Sequence, residues 1–267
     1  MSTTSSPLPP PSRGLRFGRG LRRAGFSLAR RLGEQLGSHC RVCGDWQTAP
    51  LCTACLAGPG PAHGRCPTCA LPLPAAGQAC GACLRQPGGP LQRAVAAFDY
   101  AHPWSARILA LKHSQDADGA GVLAEHLAGV VLRAYAADGA SAPSPPVDLI
   151  VPVPLAPERL RARGHNQAWE VARRLGAHLD IPAVADGVQR WPGTHPQQSL
   201  DRDARRHNIR GAFHVDVRAA QTGLFRGRRV ALVDDVMTTG ATLEELALTL
   251  QRAGALEIHA WVLARAT

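Results

Sequence analysis

The sequence predicts an α/β protein: a mostly parallel sheet covered by helices on both faces, preceded by a small cysteine-rich module. Three observations carry this. From residue 91 onward, strand-like apolar runs alternate with segments of helical periodicity. Residues 229–243, RVALVDDVMTTGATL, read as a buried strand, a turn and the start of a helix. All eight cysteines fall in C-x2-C pairs, and every pair lies between residues 40 and 83.

Three regions follow in order. Residues 1–37 form a basic tail, residues 38–90 the cysteine module and residues 91–267 the α/β domain. The net charge of +10 suggests a nucleic-acid binder until it is located. Seven arginines against Glu34 give the tail +6, which leaves +4 for the other 230 residues. Residues 1–20, rich in Ser, Pro, Gly and Arg, are expected to be disordered. Leu28, Leu32 and Leu36 then recur at helical spacing among arginines. That pattern fits a basic amphipathic helix touching nucleic acid or membrane, and equally a packing helix.

In the module the pairs are Cys40/Cys43, Cys52/Cys55, Cys66/Cys69 and Cys80/Cys83. Two-residue spacing lets both thiolates wrap one tetrahedral Zn2+, so eight ligands make two structural sites. The simplest partition is sequential, with the first four cysteines on one ion and the last four on the other; spacing leaves nested or crossed partitions open. Disulfides are the competing use. Arg22-Arg23 has no apolar stretch after it to make an export signal, which places the thiols in a reducing, cytoplasmic setting. No run of about 18 apolar residues exists to span a membrane.

In the α/β domain, residues 94–100 read as a strand, 104–111 as a short helix, and Leu123, Leu127, Val130, Val131 and Ala134 as the face of a longer one. Residues 138–146 are a loop of small residues and prolines. Residues 147–153 are a strand closing on Pro152-Val153-Pro154, where a cis peptide would turn amides toward an anion. Ala168, Val171, Ala172 and Leu175 mark the next helix; residues 213–217, 230–233 and 257–264 are strands.

Asp234 and Asp235 stand at the carboxyl end of the 230–233 strand, where ligands gather on parallel sheets. The turn Thr238-Thr239-Gly240-Ala241-Thr242 offers amides and hydroxyls with a helix amino end behind them, a phosphate cradle. Leu243, Leu246, Ala247 and Leu250 give that helix one apolar face. Two carboxylates beside a phosphate cradle suit ribose hydroxyls or Mg2+, so a ribose 5-phosphate would fill both halves. A P-loop ATPase is excluded, because its glycine loop needs a lysine and the only lysine, Lys112, lies in LALKHS. That lone ammonium suits a phosphate contact. Residues 151–167, VPVPLAPERLRARGHNQ, carry Arg159, Arg161 and Arg163, which fit an anion site or a solvated helix face. The polar stretch 195–213, with Arg202, Arg205, Arg206 and Arg210, suits a mobile lid over a diphosphate.

The 229–243 string resembles the phosphoribosyl-pyrophosphate signature of type I phosphoribosyltransferases. Taken with the four cysteine pairs, the LK segment, VPVPL…RLRARGHNQA and RRHNIRGAF, the order resembles the ComF family of competence-associated proteins from Cys40 to Ala264. His165 and His113 stand where that family usually has an aromatic, and Ser114-Gln115-Asp116 where it often has a glycine. The resemblance implies a type I phosphoribosyltransferase fold behind a double zinc ribbon, binding phosphoribosyl pyrophosphate or a related nucleotide with Mg2+. Asp234 and Asp235 would receive the ribose hydroxyls. Val236 and Met237, the turn from Thr238 to Thr242, and Pro152 and Val153 would line the ligand. Lys112, Arg202 and Arg206 would stabilise departing pyrophosphate. It further implies a role in DNA uptake, with incoming single-stranded DNA and a competence helicase as partners. A non-catalytic sensor, a single-strand binder or a helicase-docking scaffold is the alternative.

Overall fold

Four apolar segments assemble into a parallel sheet in the computed structural model, which describes residues 37–48, 51–57, 64–75, 77–113, 117–137, 145–192 and 209–267. The expected disordered tail and the leucine-spaced helix before residue 37 lie outside these residues. So do most of the lid stretch and the Ser114-Gln115-Asp116 departure. The chain falls into two compact units, residues 1–52 and residues 53–267.

In the first unit, β1 (Ser38–His39) pairs antiparallel with β2 (Trp46–Gln47). The turn between them holds Cys40 and Cys43 and is closed by the Gly44 amide donating to the Cys40 carbonyl at 2.8 Å. Gly44 sits at φ 82, the left-handed region that such a tight turn requires. Trp46 is exposed and meets His39 edge-on with ring centres 5.0 Å apart.

The second unit begins with a short helix, α1 (Thr53–Ala57), and then repeats the same knuckle. Strands β3 (Gly64–Arg65) and β4 (Pro72–Leu73) pair antiparallel around Cys66 and Cys69, and α2 (Gly81–Arg85) follows. Here Ala70, at φ 56 and fully buried, takes the place that Gly44 has in the first knuckle.

The main sheet is built from β5 (Arg93–Asp99), β6 (Leu149–Pro152), β9 (Arg229–Met237) and β10 (Glu257–Arg265), in spatial order β5-β10-β9-β6 and parallel throughout. Near-continuous burial along β9 and β10 marks strands covered on both faces. On one face, Leu232, Val230, Val151, Ala260 and Val262 join Leu243, Leu246, Ala247 and Leu250 of α8 (Ala241–Arg252). Those four helix residues are the apolar face that the sequence predicts, and each is at most 1% exposed. Burying the three leucines contributes about 1.5–3 kcal/mol apiece.

The other face packs against α4 (Ala117–Ala136) and α6 (Gln167–Leu179) through Leu123, Leu127, Val131, Val171 and Leu175, all buried. Val130 and Ala134, expected on the same stripe, are only partly buried, and Tyr135 takes the buried position instead. Between β5 and α4 lie α3 (Trp104–Ala110) and a 3₁₀ turn (Leu111–His113).

Three readings of the sequence are resolved. Pro152-Val153-Pro154 has no cis peptide; among the described residues the cis bond is His102–Pro103. Pro152 is in register with Val233, and the Val153 amide donates to the Val233 carbonyl at 2.8 Å, which holds that segment in extended trans geometry. The arginines of residues 159–163 lie on a helix, α5 (Pro157–Arg163), with no buried residue. The strand near residue 213 is β8 (Phe213–Val215), and it leaves the main sheet. It pairs antiparallel with β7 (Val188–Arg190) and is followed at once by α7 (Val217–Gln221).

Candidate functional site

The cysteines are grouped sequentially. The sulfurs of Cys40, Cys43, Cys52 and Cys55 all lie within 4.8 Å of one another, as do those of Cys66, Cys69, Cys80 and Cys83. A zinc tetrahedron with bonds of about 2.3 Å has edges of about 3.8 Å. The Cys43–Cys52 and Cys69–Cys80 sulfur separations, 3.7 and 3.6 Å, match that edge. Amides point at the sulfurs, as ionised ligands require: Val42 and Cys52 donate to Cys40 Sγ at 3.4 Å, and Cys80 donates to Cys66 Sγ at 3.3 Å. Burial, reinforced by the Cys66 and Cys80 sulfurs, pushes the Cys69 thiol up to about 11. Burial also opposes ionisation of Cys80, yet the Cys83 amide and the neighbouring sulfurs bring it down to about 7. Four such thiols ionise together only around a cation, so both groups fit Zn2+.

At the carboxyl end of β9, Asp235 is 6% exposed and Asp234 is half-buried. Their carboxylates accept from the chain itself: the Asp235 amide donates to Asp234 Oδ1 at 2.8 Å, and the Val236 amide to Asp235 Oδ1 at 2.9 Å. Lys112 reaches this pair from the 3₁₀ turn, its Nζ 3.2 Å from Asp235 Oδ2. Gln167 Nε2 approaches the same oxygen at 3.5 Å. Burial, with the charge of Asp235 added, holds the Asp234 carboxyl well above the usual carboxylate range, even with Lys112 nearby. The pair therefore lacks positive charge, which fits a divalent cation.

The loop between α5 and α6 brings Gln167 there. Gly164 ends α5 at φ 74, and Asn166 caps α6, accepting from the Ala168 amide at 3.0 Å. Asn166 Nδ2 donates to the Val153 carbonyl at 3.1 Å, fastening the loop to the end of β6. His165 faces two carbonyls, Arg163 at 3.1 Å from Nδ1 and Leu111 at 2.9 Å from Nε2. This ring ties the loop to the residue before Lys112.

After β9 the turn runs through an exposed Thr238 and a half-buried Thr239 to Gly240, at φ 87. That left-handed φ strains any side chain placed there, and a Cβ would also press on the tip of Met237, 2.8 Å away at Cε. Thr239 Oγ1 accepts from the Ala241 amide at 3.3 Å, at the start of α8. Met237 is buried in the core cluster, with its Cε against Gly240. Pro152 and Val153 are likewise buried.

Arg202 and Arg206 lie outside the described residues. Two residues near the acidic pair escape a reading of the sequence. Gln167 is detectable in principle, as a buried amide opening a helix of otherwise apolar inward positions. Arg190, on β7, is 8% exposed beside the Phe213 ring. Burial and the charge of Arg159 lower its pKa while Asp234 raises it, which places the guanidinium within electrostatic reach of both. Nothing in its short, irregular stretch of sequence signals this.

The phosphoribosyl transferase domain family matches residues 163–267, which span α6, the acidic pair, the turn and β10. The DNA utilization protein YhgH of Escherichia coli (strain K12) is 34% identical over 215 residues, covering 80% of this chain and 90% of that one. Its counterpart in Salmonella typhimurium is 33% identical over the same shares. Competence protein F of Haemophilus influenzae is 44% identical over 119 residues, 45% of this chain and 51% of that one. With its type I phosphoribosyltransferase fold behind two four-cysteine groups, the chain belongs to the ComF family of these proteins.

Proposed function

We propose that this protein is a phosphoribosyltransferase that binds phosphoribosyl pyrophosphate with Mg2+ and serves DNA uptake or utilisation. The observation that supports it most is the convergence of Lys112 and Gln167 on Asp235, beside a glycine-capped turn at the amino end of α8. The turn amides from Thr239 onward would hold the 5-phosphate, and Asp234 and Asp235 would accept the ribose 2- and 3-hydroxyls. Mg2+, when bound, would neutralise the diphosphate. Lys112 is placed to leave Asp235 for a diphosphate oxygen, and Arg202 and Arg206 would cover the departing pyrophosphate. Positive charge built up at C1 would be stabilised by the acidic pair, so the side chains position and neutralise rather than form covalent bonds. The role in DNA utilisation rests on the names of the relatives, DNA utilization protein and competence protein, and extends to single-stranded DNA and a competence helicase as partners.

The test is release of labelled pyrophosphate from phosphoribosyl pyrophosphate across a panel of bases. Turnover with any acceptor, abolished by Asp235→Asn, supports the enzyme. Tight Mg2+-dependent binding with no turnover for any acceptor would instead make the protein a ligand sensor.

A further inference from the structure

The second four-cysteine knuckle and the phosphate turn share one side chain. Arg265, at the carboxyl end of β10, is 4% exposed and donates to backbone carbonyls. Its Nε donates to the Cys69 carbonyl at 2.9 Å. Its Nη1 donates to the Met237 carbonyl at 3.1 Å and also contacts the carbonyls of Thr238 and Ala266. Cys69 is a zinc-group cysteine, whereas Met237 and Thr238 are two residues that lead into Gly240.

The knuckle is otherwise clamped along β5, at its amino end and at its carboxyl end. The Ala94 amide donates to the Pro67 carbonyl at 2.8 Å. Arg65 donates to the Ala70 carbonyl at 3.0 Å and to Asp99 Oδ1 at 2.7 Å, and Asp99 is the register partner of Arg265. Consecutive carbonyls of the knuckle, Cys69 and Ala70, are thus each held by a guanidinium. Ala70 itself belongs to the core cluster that contains Leu243 and Leu246.

We infer that Arg265 is a positioning residue that makes the geometry of the phosphate turn depend on the metal state of the Cys66/Cys69/Cys80/Cys83 group. A bound ion fixes the four sulfurs and with them the direction of the Cys69 carbonyl. Without it, the knuckle relaxes, the carbonyl leaves, and a buried guanidinium must redistribute its hydrogen bonds. The carbonyls of Met237 and Thr238 are ones it already holds, so the turn shifts with it. Metal and ligand then favour each other reciprocally. The ligand half of this inference rests on the phosphoribosyl-pyrophosphate reading; the structural half does not.

The experiment uses the full chain, with metal content measured throughout, and compares wild type, Arg265→Met, Arg265→Lys and Cys83→Ser, which removes one sulfur of the second group. Hydrogen exchange of the peptide covering residues 236–243 should be about tenfold faster in Arg265→Met and Cys83→Ser, with Arg265→Lys intermediate. Arg265→Met should still carry both metal ions. In wild type, Mg2+ and phosphoribosyl pyrophosphate should slow zinc transfer to a chromogenic chelator by about tenfold, and in Arg265→Met this protection should vanish. Unchanged exchange of residues 236–243 in Arg265→Lys and Cys83→Ser overturns the inference, even if Arg265→Met does not fold. Absence of phosphoribosyl-pyrophosphate binding in wild type overturns the proposed function, and the exchange comparison still decides the coupling.

Discussion

The ammonium of Lys112, on a 3₁₀ turn that follows the first strand of the main sheet, lies 3.2 Å from Asp235 Oδ2 at the end of β9. It meets a pair whose other member, Asp234, is within electrostatic reach of the Arg190 guanidinium. Even so, burial and the charge of Asp235 hold the Asp234 carboxyl high, so a further cation, or hydroxyl donors from a ligand, would relieve the pair. Lys112→Met should weaken phosphoribosyl-pyrophosphate binding by roughly 10- to 100-fold, the worth of a hydrogen bond to a charged group, as read by calorimetric titration. Lys112→Arg should restore little, because a planar fork does not replace a compact ammonium here.

His165 holds that lysine's segment from behind, through the Leu111 carbonyl. Replacing it with phenylalanine keeps an aromatic ring and removes its N–H donor. Stability should fall by about 1 kcal/mol in urea titration, the net worth of one hydrogen bond. Ligand affinity should drop several-fold, and a chain with unaltered affinity would show that the Lys112 turn needs no support from this ring.

The sulfur geometry gives a stoichiometry. Native mass spectrometry should find two zinc ions per chain, and Cys66→Ser should reduce this to one. Because Ala70 of the same knuckle is fully buried in the main core, that variant should also unfold at lower temperature.

Leu246 is fully buried between α8 and the sheet. Leu246→Ala should cost about 2–5 kcal/mol in denaturant unfolding, the range for a leucine truncated in a packed core. A loss below about 1 kcal/mol would mean that α8 contributes little to the core.

At the amino ends of β6 and β9, Asp148 accepts from the Arg229 amide at 2.8 Å and from its guanidinium at 3.0 Å. These bonds, the side-chain one foremost, hold the Asp148 carboxyl below its ordinary range. A folded-state pKa below the unfolded value gives stabilisation that is complete above the unfolded pKa, near 4, and disappears as pH falls through the folded one. Asp148→Asn should therefore lose this contribution at pH 7, a small loss for an exposed pair, match wild type at the acid end, and so flatten the acid limb of the stability profile below about pH 4. Thermal melts from pH 2 to pH 7 measure both halves.

Much of this fold is legible in the sequence because its signals are local. The apolar face of α8, the knuckle spacing and the acidic pair after β9 are each written within about fifteen residues. Lys112 stands out for being alone of its kind, not for any pattern, and its meeting with Asp235 is a tertiary fact. The β7–β8 ribbon escapes or is misplaced for a physical reason: three-residue strands show no full period, and antiparallel pairing away from the main sheet leaves no local trace. Arg190 and Arg265 are invisible because the chain is rich in arginine, and burial, which sets these two apart, comes from segments far away in sequence.

The strand order carries a consequence for synthesis. β10 is the last strand to be made, yet it lies between β5, made first, and β9. Until residues 257–265 leave the ribosome, β5 has no neighbour in the sheet, and the edges of β5 and β9 wait unpaired. The nascent polypeptide thus carries β5 without a sheet partner from residue 99 onward, and an open gap beside β9 once that strand is made. Stalling or truncation just before residue 257 should yield an aggregating fragment, whereas the same loss of length from the amino-terminal tail should leave assembly of the main sheet intact.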